Sequence, residues 1–321
     1  GPRMGLSIEL FHSTSGYGRG KRMPDGLTTF MTRLAGHSPW VVMPAVNPPW
    51  TLYGFRRAGA GPYRCEISRG LVYADGPLRL DLYRPAGAHG QRPGVLLLHG
   101  GGWVTGSRAL HRGFGRLLAT HGFVAAAADY HLLGKAPWPA CLEDCRSALS
   151  WMRARAGEIG LAPERLALLG DSAGAHLAAM LGIELGGTPL TVRGVVSFFG
   201  PFDLTAPADL PWPRRCQEKL LGGPLSDPTV QDRARALSPV AHVTAESPPF
   251  LLIHGAIDRI VPPSSSTRMA AALTRAGVPV ELVAVSHADH GLFALGRIEP
   301  AFGEIDRIVV AFLQKITEGV S

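Results

Sequence analysis

From residue 71 onward, short apolar runs alternate with longer stretches of helical composition, and this alternation predicts most of the architecture. Leu71 to Ala74 and Leu78 to Tyr83, separated by the turn residues Asp75, Gly76 and Pro77, predict a hairpin at a sheet edge. Gly94 to Leu98, Phe123 to Ala128, Arg165 to Leu169, Val195 to Phe199, Phe250 to Ile253 and Val280 to Val285 are apolar almost throughout, as strands buried on both faces are. Between them Arg108 to His121, Cys141 to Ala156, Ala173 to Glu184 and Ser264 to Ala276 have helical composition, and Pro300 to Ile316 predicts a closing helix. Repeated strand, helix, strand units specify an α/β protein: a mostly parallel, doubly wound sheet with helices on both faces.

Two regions break the alternation. Residues 1–60 are rich in Gly, Pro and isolated aromatics, with no clean period, and read as an N-terminal arm or cap with one short helix near Leu27 to Leu34. Residues 61–321 then form the main domain. Within it, Pro201 to Ser247 is too long for an ordinary connection and reads as a Pro-rich insertion over the top edge of the sheet, near 201–247. Trp40, Trp50, Tyr53 and Phe55 of the arm have no core of their own and must dock on something, either joining the insertion as a lid over the top edge of the sheet or covering a sheet edge or homodimer contact.

Composition narrows the classes of function. A chain of 321 residues that is 46% hydrophobic can bury a large core. Its net charge of +7 suggests nucleic acid, but only 18% of residues are charged and the arginines are scattered. The densest basic spots, Arg19 to Arg22 and Arg214–Arg215, lack interleaved aromatics and read as solvated loops, so nucleic acid is not an expected partner. The four cysteines, Cys65, Cys141, Cys145 and Cys216, contain no C-x-x-C pair and no nearby zinc-spaced histidine. No metal is expected. Cys141 and Cys145 share a helical face near the distance limit for a disulfide, which fits reduced thiols and a cytoplasmic setting. No apolar run reaches the roughly 18 residues that span a bilayer. Gly1 and Pro2 read as an expression scar, which could hide a trimmed signal peptide.

Chemistry enters at two glycine-rich turns. Gly170-Asp171-Ser172-Ala173-Gly174 is a G-x-S-x-G set between an apolar strand and a helix, the context in which a sharp turn lifts a serine hydroxyl above the strand ends. With 40 glycines in the chain, roughly 0.3 such pentapeptides arise by chance, so the flanking elements carry the argument. His99-Gly100-Gly101-Gly102, followed by Trp103, comes directly after another strand and is far rarer, roughly 0.02 by chance. Its unobstructed N–H groups at Gly101 and Gly102, with that of Ala173, can donate to a developing oxyanion. His99 reads as a loop-shaping residue rather than a base.

A serine nucleophile needs a base, and the base needs an acid to hold its tautomer. Asp258, on the loop after Phe250 to Ile253, is the preferred acid; Asp203, after the preceding strand, is the alternative, unless it caps the insertion. His290, in His290-Gly291-Leu292-Phe293, is the preferred base and His287 the alternative, otherwise a lining residue. Ligands in such sheets bind beyond the carboxyl ends of the strands, where Trp103, Trp212 and Phe202 are candidate pocket walls.

Together with Asp129-Tyr130-His131-Leu132, Pro139, Asp144, His176-Leu177-Ala178, Ser238-Pro239 and His254-Gly255 through Asp258 to Val261-Pro262, these motifs resemble the α/β-hydrolase superfamily. The resemblance, from about Leu71 to Leu313, is to its hormone-sensitive-lipase-like and feruloyl-esterase-like branches. It implies a cofactor-independent carboxylesterase acting on a small-molecule ester, expected here to be small and largely apolar. Ala175 departs from the glycine often found after the elbow, and the arm matches no cap of that family. The same residues could serve an acyltransferase or a biosynthetic cyclase, and a non-catalytic receptor or scaffold is the remaining alternative.

Overall fold

The computed structural model of the chain describes residues 61–294 and 297–318. Its centre is an eight-stranded sheet in the order β1-β2-β4-β3-β5-β6-β7-β8. The strands are β1 Arg64–Val72, β2 Arg79–Ala86, β3 Arg92–Leu98, β4 Val124–Ala128, β5 Leu161–Asp171, β6 Val195–Phe198, β7 Phe250–Gly255 and β8 Val280–Val285. The β1–β2 and β2–β4 pairs are antiparallel and all the others parallel. The principal helices are α1 Arg112–Thr120, α2 Ala140–Ala154, α3 Ala173–Glu184, α4 Pro211–Leu221, α5 Pro228–Ala236, α6 Ser264–Arg275 and α7 Phe302–Glu318.

The unbroken apolar runs have a direct cause: successive side chains point to opposite faces and both faces are covered. Leu96 and Leu98 of β3, with Leu166 and Leu168 of β5, join a core that takes in Leu149 and Met152 of α2, Leu177 and Leu181 of α3 and Met269 of α6. Val95, Leu97, Ala167 and Leu169 join a second core with Leu118 of α1 and Val309 and Leu313 of α7. Each fully buried leucine here contributes about 1.5–3 kcal/mol.

The structure corrects the expected elements at three places. The first strand begins at Arg64 rather than Leu71 and ends before Tyr73 and Ala74, because Cys65 and Ile67 alternate with Arg64, Glu66 and Ser68 on an edge strand that is only partly buried. Arg108 to His121 is not one helix: a 3-10 turn, Arg108–His111, precedes α1. The Pro-rich insertion contains two helices, since Pro211 and Pro228 stand at first helical positions, where the missing N–H costs nothing. Asp227 caps the second, accepting the N–H of Thr229 at 2.9 Å. The expected arm, its helix near Leu27 to Leu34, and its four aromatics lie outside the described residues. Parallel order brings the carboxyl ends of β3, β5, β6, β7 and β8 to one edge, where the candidate residues gather.

Candidate active site

Ser172 links the end of β5 to the start of α3 with φ 50° and ψ −117°, a conformation that L-residues rarely adopt. Only glycine fits beside it: a Cβ on Gly170 would lie 2.3 Å from the Gly174 carbonyl oxygen, and one on Gly174 would lie 1.9 Å from that of Leu98. The turn is held by the Ser172 N–H, which donates to the Phe198 carbonyl at 2.9 Å. Its hydroxyl lies 3.1 Å from His290 Nε2, and His290 Nδ1 lies 2.8 Å from Asp258 Oδ2. All three residues are buried.

The Asp258 carboxylate is richly supplied with donors. Its Oδ1 accepts the N–H groups of Ile260 and Val261, each at 2.9 Å, and its Oδ2 also lies 3.3 Å from His254 Nε2. Burial pushes its pKa up, but the attraction of His290 and the bonds from both histidines outweigh that and hold it well below the ordinary carboxylate range. An ionised acid is what a histidine needs to keep its proton on Nδ1 and leave Nε2 free to accept.

The glycine loop after β3 is tied to the elbow through Asp171. Asp171 Oδ1 accepts the Gly100 N–H at 2.9 Å and lies 2.9 Å from the Nε2 of buried His111, which also lies 3.1 Å from the Leu98 carbonyl. With Gly100 so engaged, the next two glycines carry the turn, at φ 124° for Gly101 and φ 57° for Gly102. Ala173 is the first residue of α3, so its N–H has no partner within the helix and lies at the positive end of the dipole. His99 stacks on Tyr130 with ring centroids 4.3 Å apart and lies 2.8 Å through Nδ1 from the Gly100 carbonyl. Burial, against that bond, draws its pKa down to about 4, so it stays neutral and shapes the loop.

The alternatives fall elsewhere. His287 is exposed, with φ 60°, and is not in the hydrogen-bonded chain. Asp203 caps its own turn, accepting the Thr205 N–H at 3.0 Å, and faces Arg268. Of the candidate pocket walls, Phe202 has no exposed surface and belongs to the larger core, a correction to its reading as a wall. Trp103 is buried edge-on against His176, at 5.2 Å between centroids. Trp212 of α4 does approach the site: a Cβ on Gly102 would lie 2.9 Å from its Cη2 and 2.8 Å from Cys216 Sγ. The Cys216 thiol, pushed up to about 12 by burial, is packing rather than a nucleophile. All four cysteines are free thiols. Among the described residues no group of three or more His, Cys, Asp or Glu side chains is arranged to hold a metal ion, and no helix is long and apolar enough to cross a membrane.

Three features escaped sequence reasoning. Asp171 occupies a variable position of the serine pentapeptide, so only its burial reveals the bridge to Gly100. His254 signals itself only as a histidine at a strand end. Asp289 accepts the His290 N–H at 2.8 Å and the Arg259 N–H at 3.0 Å, clamping the base loop to the acid loop, and its only sequence signal is adjacency to His290.

A doubly wound sheet with a strained serine on a strand–turn–helix, and an acid and a histidine beyond its last two strands, defines an α/β-hydrolase. Residues 80–273 match the BD-FAE family, and the chain belongs to it. It is 27% identical over 269 residues to the probable isoprenylcysteine alpha-carbonyl methylesterase ICMEL1 of Arabidopsis thaliana, across 76% of this chain and 56% of that protein. It is 31% identical over 212 residues to esterase LipC of Mycobacterium tuberculosis, across 60% of this chain and 52% of that protein. The chain thus spans about half the length of these curated relatives. A thermophilic esterase of Thermogutta terrifontis, Est2, solved with butyrate bound, is 28% identical with a TM-score of 0.63, across 78% of this chain and 94% of that one. Est2 is also known in a form phosphorylated by paraoxon.

Proposed function

We propose that this chain is a serine carboxylesterase that cleaves small, largely apolar esters through an acyl-enzyme. The observation that carries the reading is the buried chain from Ser172 Oγ to His290 at 3.1 Å and from His290 to Asp258 at 2.8 Å, set on a strained elbow. Ser172 attacks the ester carbonyl while His290 Nε2 takes its proton, and Asp258 orients the ring and offsets the charge it gains. The oxyanion is met by the N–H groups of Gly101, Gly102 and Ala173, whose fixed orientation in a dry site is worth about 3–4 kcal/mol per donor. His290 then returns the proton to the leaving alcohol, and water repeats the sequence to release the acid.

The expectation of an apolar acyl group is supported by Trp212 of the insertion beside Gly102, and by Phe199, whose ring lies 4.8 Å from that of His290. The butyrate bound to Est2 is of the same chemical kind. Steady-state hydrolysis of a 4-nitrophenyl ester series tests the reading, with product analysis in the presence of an added alcohol. It predicts free carboxylic acid as the product, fastest turnover on short acyl chains, and loss of turnover in Ser172→Ala. Dominant transfer to the alcohol, or turnover unchanged in Ser172→Ala, contradicts it.

A further inference from the structure

His254 is the penultimate residue of β7 and is buried, yet the mechanism above gives it nothing to do. Both of its ring nitrogens are nonetheless engaged. Nε2 lies 2.9 Å from the Val261 carbonyl oxygen and 3.3 Å from Asp258 Oδ2, and Nδ1 lies 2.7 Å from the hydroxyl of Ser266 on α6. A carbonyl and a carboxylate only accept, so Nε2 carries a proton. At Nδ1 the neighbour is a hydroxyl, which can donate. Of the two singly protonated tautomers these partners favour the Nε2–H form, with the Ser266 hydroxyl placed to donate to Nδ1.

We propose that His254 is a positioning residue for Asp258, held in its tautomer by Ser266, so that one chain of side chains runs Ser266, His254, Asp258, His290, Ser172. The proposal rests on the serine-esterase reading above. His254 acts on the acid by two routes. Directly, its Nε2 sits beside the same Oδ2 that faces His290. Indirectly, it holds the carbonyl of Val261, whose own N–H donates to Asp258 Oδ1 at 2.9 Å. The acid loop is a turn beyond the end of β7, tied to the base loop through Asp289, and His290 changes protonation state twice in each half-reaction. Its Oδ1 is fixed by the N–H groups of Ile260 and Val261, but an Oδ2 facing His290 alone could follow that ring. One anchored from behind stays where the imidazolium needs it.

The test compares the full chain with its variants by kcat and KM on a 4-nitrophenyl ester and by the rate at which a fluorophosphonate labels Ser172. His254→Leu lowers kcat by about tenfold or more with KM within about twofold, because the loss falls on the transition state. His254→Gln, whose amide N–H can reach the place of Nε2, recovers to within about threefold of the parent, and Ser266→Ala falls between the two. In an Asp258→Asn background, both His254→Leu and Ser266→Ala change the labelling rate by less than about twofold, since the group they act through is gone. Losses equally large in that background, or a His254→Leu chain indistinguishable from the parent, overturn the positioning role. If His254→Leu does not fold, Ser266→Ala decides alone, and an undiminished kcat there overturns it. A folded parent whose Ser172 takes no label overturns the esterase reading itself and the proposal with it. A labelled parent with uncoupled variants overturns only the proposal.

Discussion

At the residue scale, two histidines three positions apart in one loop face opposite fates. His290 is buried, with Asp258 on one nitrogen and Ser172 on the other, whereas His287 is exposed. The account therefore predicts that His290→Ala lowers kcat by on the order of 10³ or more, while His287→Ala stays within about threefold of the parent. Asp258→Asn likewise removes the acid and traps the wrong tautomer, while Asp203→Asn keeps an oxygen to cap its turn, loses only the exposed pairing with Arg268, and leaves kcat near that of the parent. Steady-state kinetics on the four variants check all of this together. A larger loss in His287→Ala or Asp203→Asn than in its counterpart would reverse the assignment.

At the element scale, the insertion brings α4 against the glycine loop, with Trp212 beside Gly102. If α4 limits the acyl pocket, Trp212→Ala extends the preferred acyl chain, shifting relative kcat/KM on longer esters by roughly tenfold per added methylene or less. An unchanged preference across the ester series would make Trp212 packing only. The insertion also marks where the sequence was hard to read. Strands buried on both faces announce themselves as apolar runs, as β4 and β7 do, and the two glycine turns stand out because few other residues tolerate their backbone. The helices of the insertion hid behind Pro211 and Pro228, which look like breakers until each is seen at a helix start. The polar edge strand β1 hid for the opposite reason, since polar residues such as Arg64, Glu66 and Arg69 carry its exposed positions. Phe202 was misplaced because a strand-end aromatic reads equally well as pocket or core. That Ser172, Asp258 and His290 lie together was legible because chain order in this fold places such residues at particular strand ends. Asp171 and His254 were not, since their significance lies in what they touch across the sheet.

At the scale of the whole molecule, buried neutral histidines link stability to pH. His99 and His176 are each drawn down to about 4 from 6.5, chiefly by burial, while His176 Nε2 lies 2.7 Å from the Leu237 carbonyl in the insertion. Between about pH 6.5 and 4 the unfolded chain binds these protons and the folded chain does not, so stability falls as pH falls through that window. Each group contributes on the order of 1 kcal/mol per pH unit there. Denaturant unfolding across that range should show a shallower pH dependence in His176→Gln than in the parent, and an identical slope would contradict the assignment. Asp258, held low, adds a further loss of stability as pH falls below about 4, where the unfolded chain takes up a proton that the folded carboxylate does not.

The central claim is that the molecule's sheet, glycine turns and strand-end loops converge to make Ser172 a nucleophile. Intact-mass analysis and peptide mapping after exposure to a fluorophosphonate test it most directly. The account predicts a single adduct on Ser172, absent from Ser172→Ala and formed far more slowly in His290→Ala. An adduct on any other residue, or none on a chain that circular dichroism finds folded, would contradict it.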